Sequence, residues 1–291
     1  MIDSTSCVAL ELVLPPAGRF YPAAMTSRRR LDAELVERGL AENRSRAQAL
    51  VMAGRVSVGG RVVDKAGTAV AGDADIAVSE RPRYVSRGGD KLETGLRRWH
   101  VNVTGERCLD VGASTGGFTD CLLQHGAAEV IALDVGRGQL HERLRSNPSV
   151  HVIERMNARV LTAADLPYRP GFMTADVSFI SLRLVLPPVV AAAAPAWRAI
   201  VLVKPQFEAG RELVREGVVR DPAVRGQVLH DLCAFVTGSG AAILGVCDSS
   251  HPGPAGNREY LLYLASPGHP VSQEREVDVD AEIREAVHNP G

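Results

Sequence analysis

Residues 108–118 constrain the fold of this 291-residue chain more than any other stretch. They read CLDVGASTGGF, a short apolar run followed by a turn that contains three glycines. The apolar run predicts a strand buried on both faces, and the residues from Thr119 onward predict a helix that ends at Gly126. The glycines allow the backbone to turn sharply and to approach a ligand closely. The stretch therefore predicts a strand–turn–helix unit with a ligand site at the turn, unless the turn only closes the unit.

A second predicted strand, residues 129–134, ends in Asp134, and an acid at this position of a βαβ unit commonly holds ribose hydroxyls. The glycine spacing G-A-S-T-G-G differs from the G-x-G-x-x-G of dinucleotide sites, and Asp110 precedes the first glycine. A carboxylate there would repel a phosphate but suits an amine or a cation. These features favour S-adenosylmethionine, which has a ribose, an amino group and a sulfonium but no phosphate. We expect this cofactor to be held by Asp110, Gly112, Ser114, Gly116, Gly117, Phe118, Asp134, Met156, Asn157 and Asp176.

The charge of the chain is distributed unevenly, although the formal net charge is only −1. Residues 28–98 carry 15 Lys and Arg against 10 Asp and Glu, which is a net charge of +5. A basic N-terminal part joined to an acidic remainder suggests a module that binds a polyanion.

The five cysteines and the apolar runs exclude several classes of site. No two cysteines are spaced C-x-x-C and no histidine cluster lies near them, so we expect no bound metal. No apolar run reaches the ~18–20 residues that a bilayer-spanning helix needs, and no signal peptide is recognisable. We therefore expect a cytoplasmic protein that does not act on membranes.

Strand and helix patterns alternate after residue 88, which predicts a mostly parallel, Rossmann-like α/β sheet. The last two predicted strands, 241–246 and 259–264, are joined by a loop too short for a crossover helix, so they predict an antiparallel edge. The fourth predicted strand covers residues 172–179. The expected domains are a disordered extension at 1–27, a small α+β domain at 28–80, a linker at 81–87, the α/β domain at 88–267 and a C-terminal tail with one short helix at 268–291.

Two segments of the basic N-terminal part read RLDAELVERGL and SRAQALVMAGRVSVGGRVVDK. They predict two helices, each closed by a glycine, and then a hairpin with the turn Gly59-Gly60. This pattern resembles the RNA-binding fold of ribosomal protein S4, in which the second helix and the hairpin carry basic residues to structured RNA. The resemblance implies RNA contacts by Arg44, Arg46, Arg55, Arg61 and Lys65, to which the basic linker adds Arg87.

Charged residues stand near the ends of the predicted strands, where open α/β sheets bind their ligands. Asp176 lies in the fourth predicted strand and Lys204 follows the fifth. Glu259 opens the last strand, and Lys91 comes from the helix before the first. The motifs around these residues are SRGGDKL, DVGASTGGF, DVSFISL, KPQFE and GNREY. Together they resemble the TlyA-type rRNA 2′-O-methyltransferases, some of which are called hemolysins, over residues 28–265.

The resemblance implies an S4-like RNA-binding domain joined to an FtsJ-like methyltransferase domain. It implies methyl transfer from S-adenosylmethionine to the ribose 2′-hydroxyl of cytidine in small- and large-subunit rRNA. The expected partners are ribosomal RNA or ribosomal subunits, not DNA, and we expect a monomer. The catalytic residues that the resemblance implies are Lys91, Asp176, Lys204 and Glu259.

Three other functions are less consistent with the sequence than an rRNA 2′-O-methyltransferase. A dehydrogenase is disfavoured by the glycine spacing and by Asp110. A hemolysin-like membrane-active protein is disfavoured because no segment could span a bilayer. A non-catalytic rRNA-binding factor is disfavoured because all four catalytic positions are filled.

The sequence leaves the proton acceptor of the reaction open. A ribose 2′-hydroxyl is a poor nucleophile, so a neighbouring group must take its proton. Lys204 is the acceptor if burial and nearby cations keep its amine neutral. If Asp176 and Glu259 keep the amine charged, Lys204 only orients the hydroxyl and Asp176 accepts the proton.

Overall fold

The computed structural model describes residues 28–52, 54–79, 83–214, 216–253, 256–274 and 276–288. Contacts within the chain divide it into two units, Met1–Arg81 and Pro82–Gly291. The expected extension at 1–27 lies outside the described residues, and its disorder stays a prediction.

Two helices and five short strands are described in the N-terminal unit: β1 (Arg29–Arg30), α1 (Leu31–Glu37), α2 (Arg44–Met52), β2 (Val56–Val58), β3 (Arg61–Val62), β4 (Ala69–Val70) and β5 (Ile76–Val78). Strand β2 pairs with β3 and β5, and β1 pairs with β4, all antiparallel. The β2–β3 turn is the expected Gly59-Gly60, whose φ angles of 56° and 75° are those that a tight hairpin turn requires at both positions. Apolar side chains of both helices, including Leu31 and Val51, pack with Val56 and Val70 into a small core.

The C-terminal unit contains seven strands and eight α-helices among its described residues. In chain order, the first seven are α3 (Gly88–Arg98), β6 (Arg107–Val111), α4 (Gly117–Gln124), β7 (Glu129–Asp134), α5 (Glu142–Arg145), β8 (Val150–Glu154) and β9 (Phe172–Ala175). The later ones are α6 (Leu182–Ala192), β10 (Arg198–Val203), α7 (Pro205–Glu208), α8 (Pro222–Gly238), β11 (Ala242–Asp248), β12 (Tyr260–Ala265), α9 (Val271–Glu274) and α10 (Val279–His288).

All seven strands form one sheet in the order β11-β12-β10-β9-β6-β7-β8. Neighbours from β10 to β8 are parallel, whereas β12 is antiparallel to both β10 and β11. Apolar side chains of α6, α8 and α10 form one core cluster with the sheet, and those of α3 and α4 form another. Along β10, Ile200 and Leu202 face the second cluster while Val201 and Val203 face the first, so the sheet is covered on both faces. The expected Rossmann-like sheet with an antiparallel edge is confirmed.

The segment expected to be a tail with one short helix is packed onto the sheet through its helix α10. In α10, Ile283, Ala286 and Val287 are buried and belong to the first core cluster. Their spacing of three and four residues places them on one face of a helix, so the helix buries an apolar stripe against α8 and β11. The polar composition of the segment hid this short stripe in the sequence.

The predicted linker and the fourth predicted strand also differ from the structure. Tyr84 is buried and donates a hydrogen bond to Glu93, and the Val85 amide donates to Asp120 at 2.9 Å, so residues 83–87 pack on the C-terminal unit. Strand β9 ends at Ala175, because the chain then turns away from the sheet through Phe179, whose φ is 63°. Residues 176–181 therefore form a loop between the end of β9 and the start of α6.

Candidate active site

The strand register brings four chain segments together at one edge of the sheet. Val203 of β10 pairs with Tyr260 of antiparallel β12, so the residues just beyond them, Lys204 and Glu259, lie side by side. On the other side, Val111 pairs with Ala175 in the parallel β6–β9 ladder. The next residues are Gly112 and Asp176, and they approach so closely that a Cβ at Gly112 would clash with the Asp176 backbone oxygen. Glycine at this position is therefore required by the packing of two strand ends.

The four predicted catalytic residues form two lysine–carboxylate pairs at this edge. Lys91 of α3 lies with its Nζ 2.5 Å from Glu259 Oε2, and both side chains are almost fully buried. Lys204 Nζ lies 2.6 Å from Asp176 Oδ1 and donates to Ser178 Oγ at 2.8 Å. The second pair is more open than the first, because 23% of the Asp176 side chain remains exposed against 2% for Glu259.

Both pairs open into a cleft of about 270 Å³. The cleft runs from the β6–α4 turn to the ends of β9 and β10. Its walls include five of the residues predicted to hold the cofactor, all four predicted catalytic residues and Arg87. The residues that line it are Ser86, Arg87, Gly88, Lys91, Gly112, Ala113, Ser114, Thr115, Gly117, Phe118, Asp176, Ser178, Lys204 and Glu259.

Comparison with protein-family models decides the family. Residues 84–266, well over half of the chain, match the model of the FtsJ-like methyltransferase. The chain belongs to the FtsJ-like methyltransferase family. Residues 29–76 match the model of the S4 domain, as expected for the N-terminal unit.

Relatives match most of the length of this FtsJ-like chain. It is 47% identical over 244 residues to the 16S/23S rRNA (cytidine-2′-O)-methyltransferase TlyA of Mycobacterium tuberculosis. The aligned residues cover 82% of this chain and 91% of that protein. It is 48% identical over 248 residues to YqxC of Bacillus subtilis, named as a candidate rRNA methyltransferase, with 84% of this chain and 88% of that protein covered. The solved structure of a candidate hemolysin from Streptococcus thermophilus superposes with a TM-score of 0.69 at 38% identity, over 90% of this chain and 95% of that one.

The turn between β6 and α4 lines the cleft and lies close to Asp134. A Cβ at Gly117 would clash with Ser86 Oγ and the Gly89 amide nitrogen, so glycine at this position lets the turn pack closely on the start of α3. Asp134 lies beyond Ser114, whose amide donates to Asp134 Oδ2 at 2.8 Å, and the Gly136 amide donates to the other oxygen at 2.6 Å. A second, narrower cavity of about 10 Å³ lies against Asp134 and shares Ala113 and Ser114 with the main cleft. The turn that lines the cleft, with Asp134 near one end and Asp176 at the other, offers groups that could hold an amine, a sulfonium and a ribose.

Five of the residues expected to hold the cofactor do not line the main cleft. One is Asp134, and the other four are Asp110, Gly116, Met156 and Asn157. Gly116 has a φ of 96° and lies against Leu144, so its role is to let the turn pack on α5. The amide oxygen of Asn157 accepts from the Arg159 amide at 3.1 Å, and Met156 packs against the core. Asp110 is fully buried beneath the turn. Its side chain therefore does not reach a ligand in the cleft, contrary to the prediction from the sequence.

The Asp110 carboxyl is enclosed by two buried threonines. Thr119 Oγ1 donates to its Oδ2 at 2.7 Å, and Thr174 Oγ1 donates to its Oδ1 at 3.0 Å. Burial raises the pKa of the Asp110 carboxyl to about 7, and the charge of Asp176 adds to the rise, while the two hydroxyl donors lower it. The carboxyl therefore links β6 to α4 and β9 through hydrogen bonds. In the folded state it keeps its proton up to about neutral pH.

Asp110 should make the protein less stable as pH rises from about 4 to about 7. In that window the unfolded chain releases the proton and the folded chain keeps it, so the free energy of unfolding falls by on the order of 4 kcal/mol. Asp110→Asn keeps the shape and removes the titration. Urea unfolding of both proteins near pH 5 and near pH 8 should show a much smaller fall for the variant. Parallel pH dependences would contradict this assignment.

Three side chains near the FtsJ-like cleft were not singled out from the sequence. Ser178 accepts the hydrogen bond from Lys204. The Phe179 side chain is 91% exposed, and its ring centroid lies 5.0 Å from that of Phe207, which follows Lys204 by three residues. The only signal in the sequence is that both phenylalanines lie within the motifs DVSF and KPQF, beside the charged residues.

The predicted RNA-contacting residues are distributed over both units. Arg46, Arg61 and Lys65 are exposed, and no side-chain hydrogen bond or ion pair is found for them within the described residues. Arg44 pairs with the buried Asp32 at 3.1 Å, and Arg55 Nε donates to the Ser79 backbone oxygen at 2.9 Å. Arg87 lines the cleft of the C-terminal unit.

The described residues contain neither a membrane-spanning helix nor a cluster of metal ligands. No described helix is both long enough and apolar enough to cross a membrane. Within the same part of the chain, no group of three or more His, Cys, Asp or Glu side chains is placed to hold a metal ion.

Proposed function

We propose that the protein transfers the methyl group of S-adenosylmethionine to the ribose 2′-hydroxyl of cytidine in ribosomal RNA. The observation that carries the proposal is that two lysine–carboxylate pairs, Lys91–Glu259 and Lys204–Asp176, line one cleft together with the glycine-rich β6–α4 turn. The relative from M. tuberculosis is named for the same reaction, on 16S and 23S rRNA. A ribosomal substrate supports the proposal of a cytoplasmic location.

The β6–α4 turn and Asp134 would hold the cofactor. S-adenosylmethionine supplies a methyl group on a positively charged sulfur. The carboxylate of Asp134 can accept hydrogen bonds from ribose hydroxyls in addition to those from the Ser114 and Gly136 amides, because each oxygen has a second lone pair. Asp176, at the other end of the cleft, places a negative charge where it attracts an amine or a sulfonium.

Lys204 and Asp176 would share the task of preparing the 2′-hydroxyl. Lys204 already acts as a hydrogen-bond donor to Ser178 Oγ, so its ammonium is placed to hold the attacking oxygen. Asp176 Oδ1 lies 2.6 Å from that ammonium and is an acceptor for the proton that leaves the hydroxyl. The buried Lys91–Glu259 pair closes the opposite wall and fixes α3 to the start of β12.

The exposed Phe179 would receive the target base. A solvent-facing aromatic ring is a stacking surface for an unpaired base, worth about 1–3 kcal/mol per base. Phe179 follows Ser178, the hydrogen-bond partner of Lys204, so a base stacked on it lies beside the residues that act on its ribose. This arrangement suits a nucleotide turned out of its helix.

The proposal is tested by incubating purified small and large ribosomal subunits with the protein and with methyl-labelled S-adenosylmethionine. We expect label in rRNA at a cytidine 2′-oxygen, located by alkaline hydrolysis, which spares a 2′-O-methylated linkage. Label on a base, or binding to rRNA with no transfer to either subunit, would overturn the proposal. The second result is the one expected of a non-catalytic rRNA-binding factor.

The S4 domain is expected to supply salt-dependent affinity for the rRNA. Replacing Arg46, Arg61 and Lys65 together with alanine should make the dependence of log K on log salt shallower by about 2–3, since each lost phosphate contact removes about 0.7–0.9. Binding of S-adenosylmethionine should not change. Arg284→Ala, which removes an exposed charge from α10, is the control. An unchanged salt slope in the triple variant would contradict the assignment.

A further inference from the structure

Two loops that follow neighbouring strands carry the Lys204–Asp176 pair. Asp176 lies in the loop between β9 and α6, and Lys204 lies in the turn between β10 and α7. The β9–β10 ladder ends at the pair Ala175 and Val201, before either catalytic residue is reached. The sheet fixes where the two loops start, since the Asp176 amide donates to the Val111 backbone oxygen at 2.9 Å and Val203 pairs with Tyr260. Beyond these residues the spacing of the two loops depends on contacts between the loops themselves.

Glu208, the last residue of α7, makes such a contact. Its Oε2 accepts a hydrogen bond from Ser181 Oγ at 2.6 Å, and its Oε1 accepts one from the Leu182 amide at 2.7 Å. Ser181 is the N-cap of α6, and its hydroxyl oxygen also accepts from the Arg183 amide at 3.1 Å. The carboxylate of α7 thus satisfies the free donors at the start of α6, across the two loops.

The position of Glu208 shows that it acts indirectly. It is absent from the lining of the cleft, which Asp176 and Lys204 both reach. Burial raises the pKa of the Glu208 carboxyl despite the hydrogen bonds from Ser181 and Leu182, which lower it. A carboxylate in such surroundings needs its hydrogen bonds, so it strongly favours the arrangement that provides both.

We infer that Glu208 is a positioning residue of the methyl-transfer site, which holds the Lys204 turn against the Asp176 loop. The inference rests on the proposed function. Without the carboxylate, α7 loses its hydrogen bonds to α6, and only the pairing of β10 with its neighbouring strands and the ion pair with Asp176 guide Lys204. Phe179 and Phe207, which meet across the same two loops, would lose their fixed spacing as well. A misplacement of about 1 Å in a reacting group can lower a rate by about 10²-fold.

Single-turnover methyl transfer at saturating cofactor and rRNA measures this role. Glu208→Ala should be slower than the native protein by about 10- to 100-fold, with an unchanged Kd for S-adenosylmethionine. Glu208→Gln should remain within about threefold, because its amide oxygen accepts from Leu182 and its amide nitrogen donates to Ser181 Oγ. Glu212→Ala removes an exposed carboxylate from the next turn of chain and should keep the native rate.

The variants separate positioning from the alternatives. A Glu208→Ala protein with the native rate overturns the inference, and so does a Glu208→Gln protein as slow as Glu208→Ala, since charge would then be what matters. If Glu208→Ala does not fold, Glu208→Asp provides the test. Its shorter side chain should lower the rate, and the native rate in that variant would overturn the inference. Failure of the native protein to transfer methyl groups would instead overturn the proposed function.

Discussion

Lys204→Ala is expected to slow single-turnover methyl transfer by at least about 10²-fold while the Kd for S-adenosylmethionine stays unchanged. The side chain lies 2.6 Å from Asp176 Oδ1 and 2.8 Å from Ser178 Oγ, at the open end of the cleft where the ribose would enter. Its loss removes the donor that holds the attacking oxygen and leaves Asp176 without a counter-charge. Rapid quenching of labelled transfer to rRNA measures the step directly. Lys65→Ala, in the S4 domain, is the matched control and should keep the native rate at saturating rRNA.

Two further variants assign the proton. With Lys204 as donor and Asp176 as acceptor, Lys204→Arg should keep more activity than Lys204→Ala, since a guanidinium also donates and cannot deprotonate. Its rate should be flat between about pH 7 and about pH 9. Asp176→Asn should lose about 10²–10⁴-fold, because an amide does not accept the proton. An inactive Lys204→Arg, together with a native rate that rises over the same range, would show that Lys204 accepts the proton itself.

The sequence predicts the site because strand ends can be located in it. Lys204 and Glu259 each stand next to an apolar run that can only be a buried strand, and open α/β sheets bind ligands at such ends. The Gly59-Gly60 hairpin was predictable for a similar reason, since few residues other than glycine accept two successive positive φ angles. In both cases a local requirement of the backbone decides which residues can stand there.

Side-chain direction could not be predicted in the same way. Asp110 and Gly112 are two residues apart, yet the Asp110 side chain points into the core between Thr119 and Thr174 while Gly112 borders the cleft. Which face of a doubly covered strand a residue takes depends on the register with its neighbours, which composition does not reveal. The sequence pattern places Phe179 at the end of the predicted strand 172–179, and only the turn that follows Ala175 exposes it.

Glu259→Ala should lower the free energy of unfolding by about 3–5 kcal/mol, in addition to abolishing methyl transfer. The Lys91 and Glu259 side chains are 9% and 2% exposed, so removing the carboxylate leaves an ammonium in a site that water scarcely reaches. The expected loss arises from this uncompensated charge. Urea unfolding at neutral pH, with cofactor absent, measures it.

The same helix, α3, offers the matched control, because Arg98 pairs with Glu285 at 3.3 Å with side chains 49% and 60% exposed. Glu285→Ala should cost at most about 1 kcal/mol, since water screens and solvates both charges. Replacing Lys91 and Glu259 together with methionine, which has a similar volume and no charge, should recover most of the stability and none of the activity. That combination would show that the pair is kept for the reaction and not for the fold. A loss in Glu259→Ala no larger than in Glu285→Ala would mean that the Lys91 ammonium finds water or another partner when Glu259 is removed.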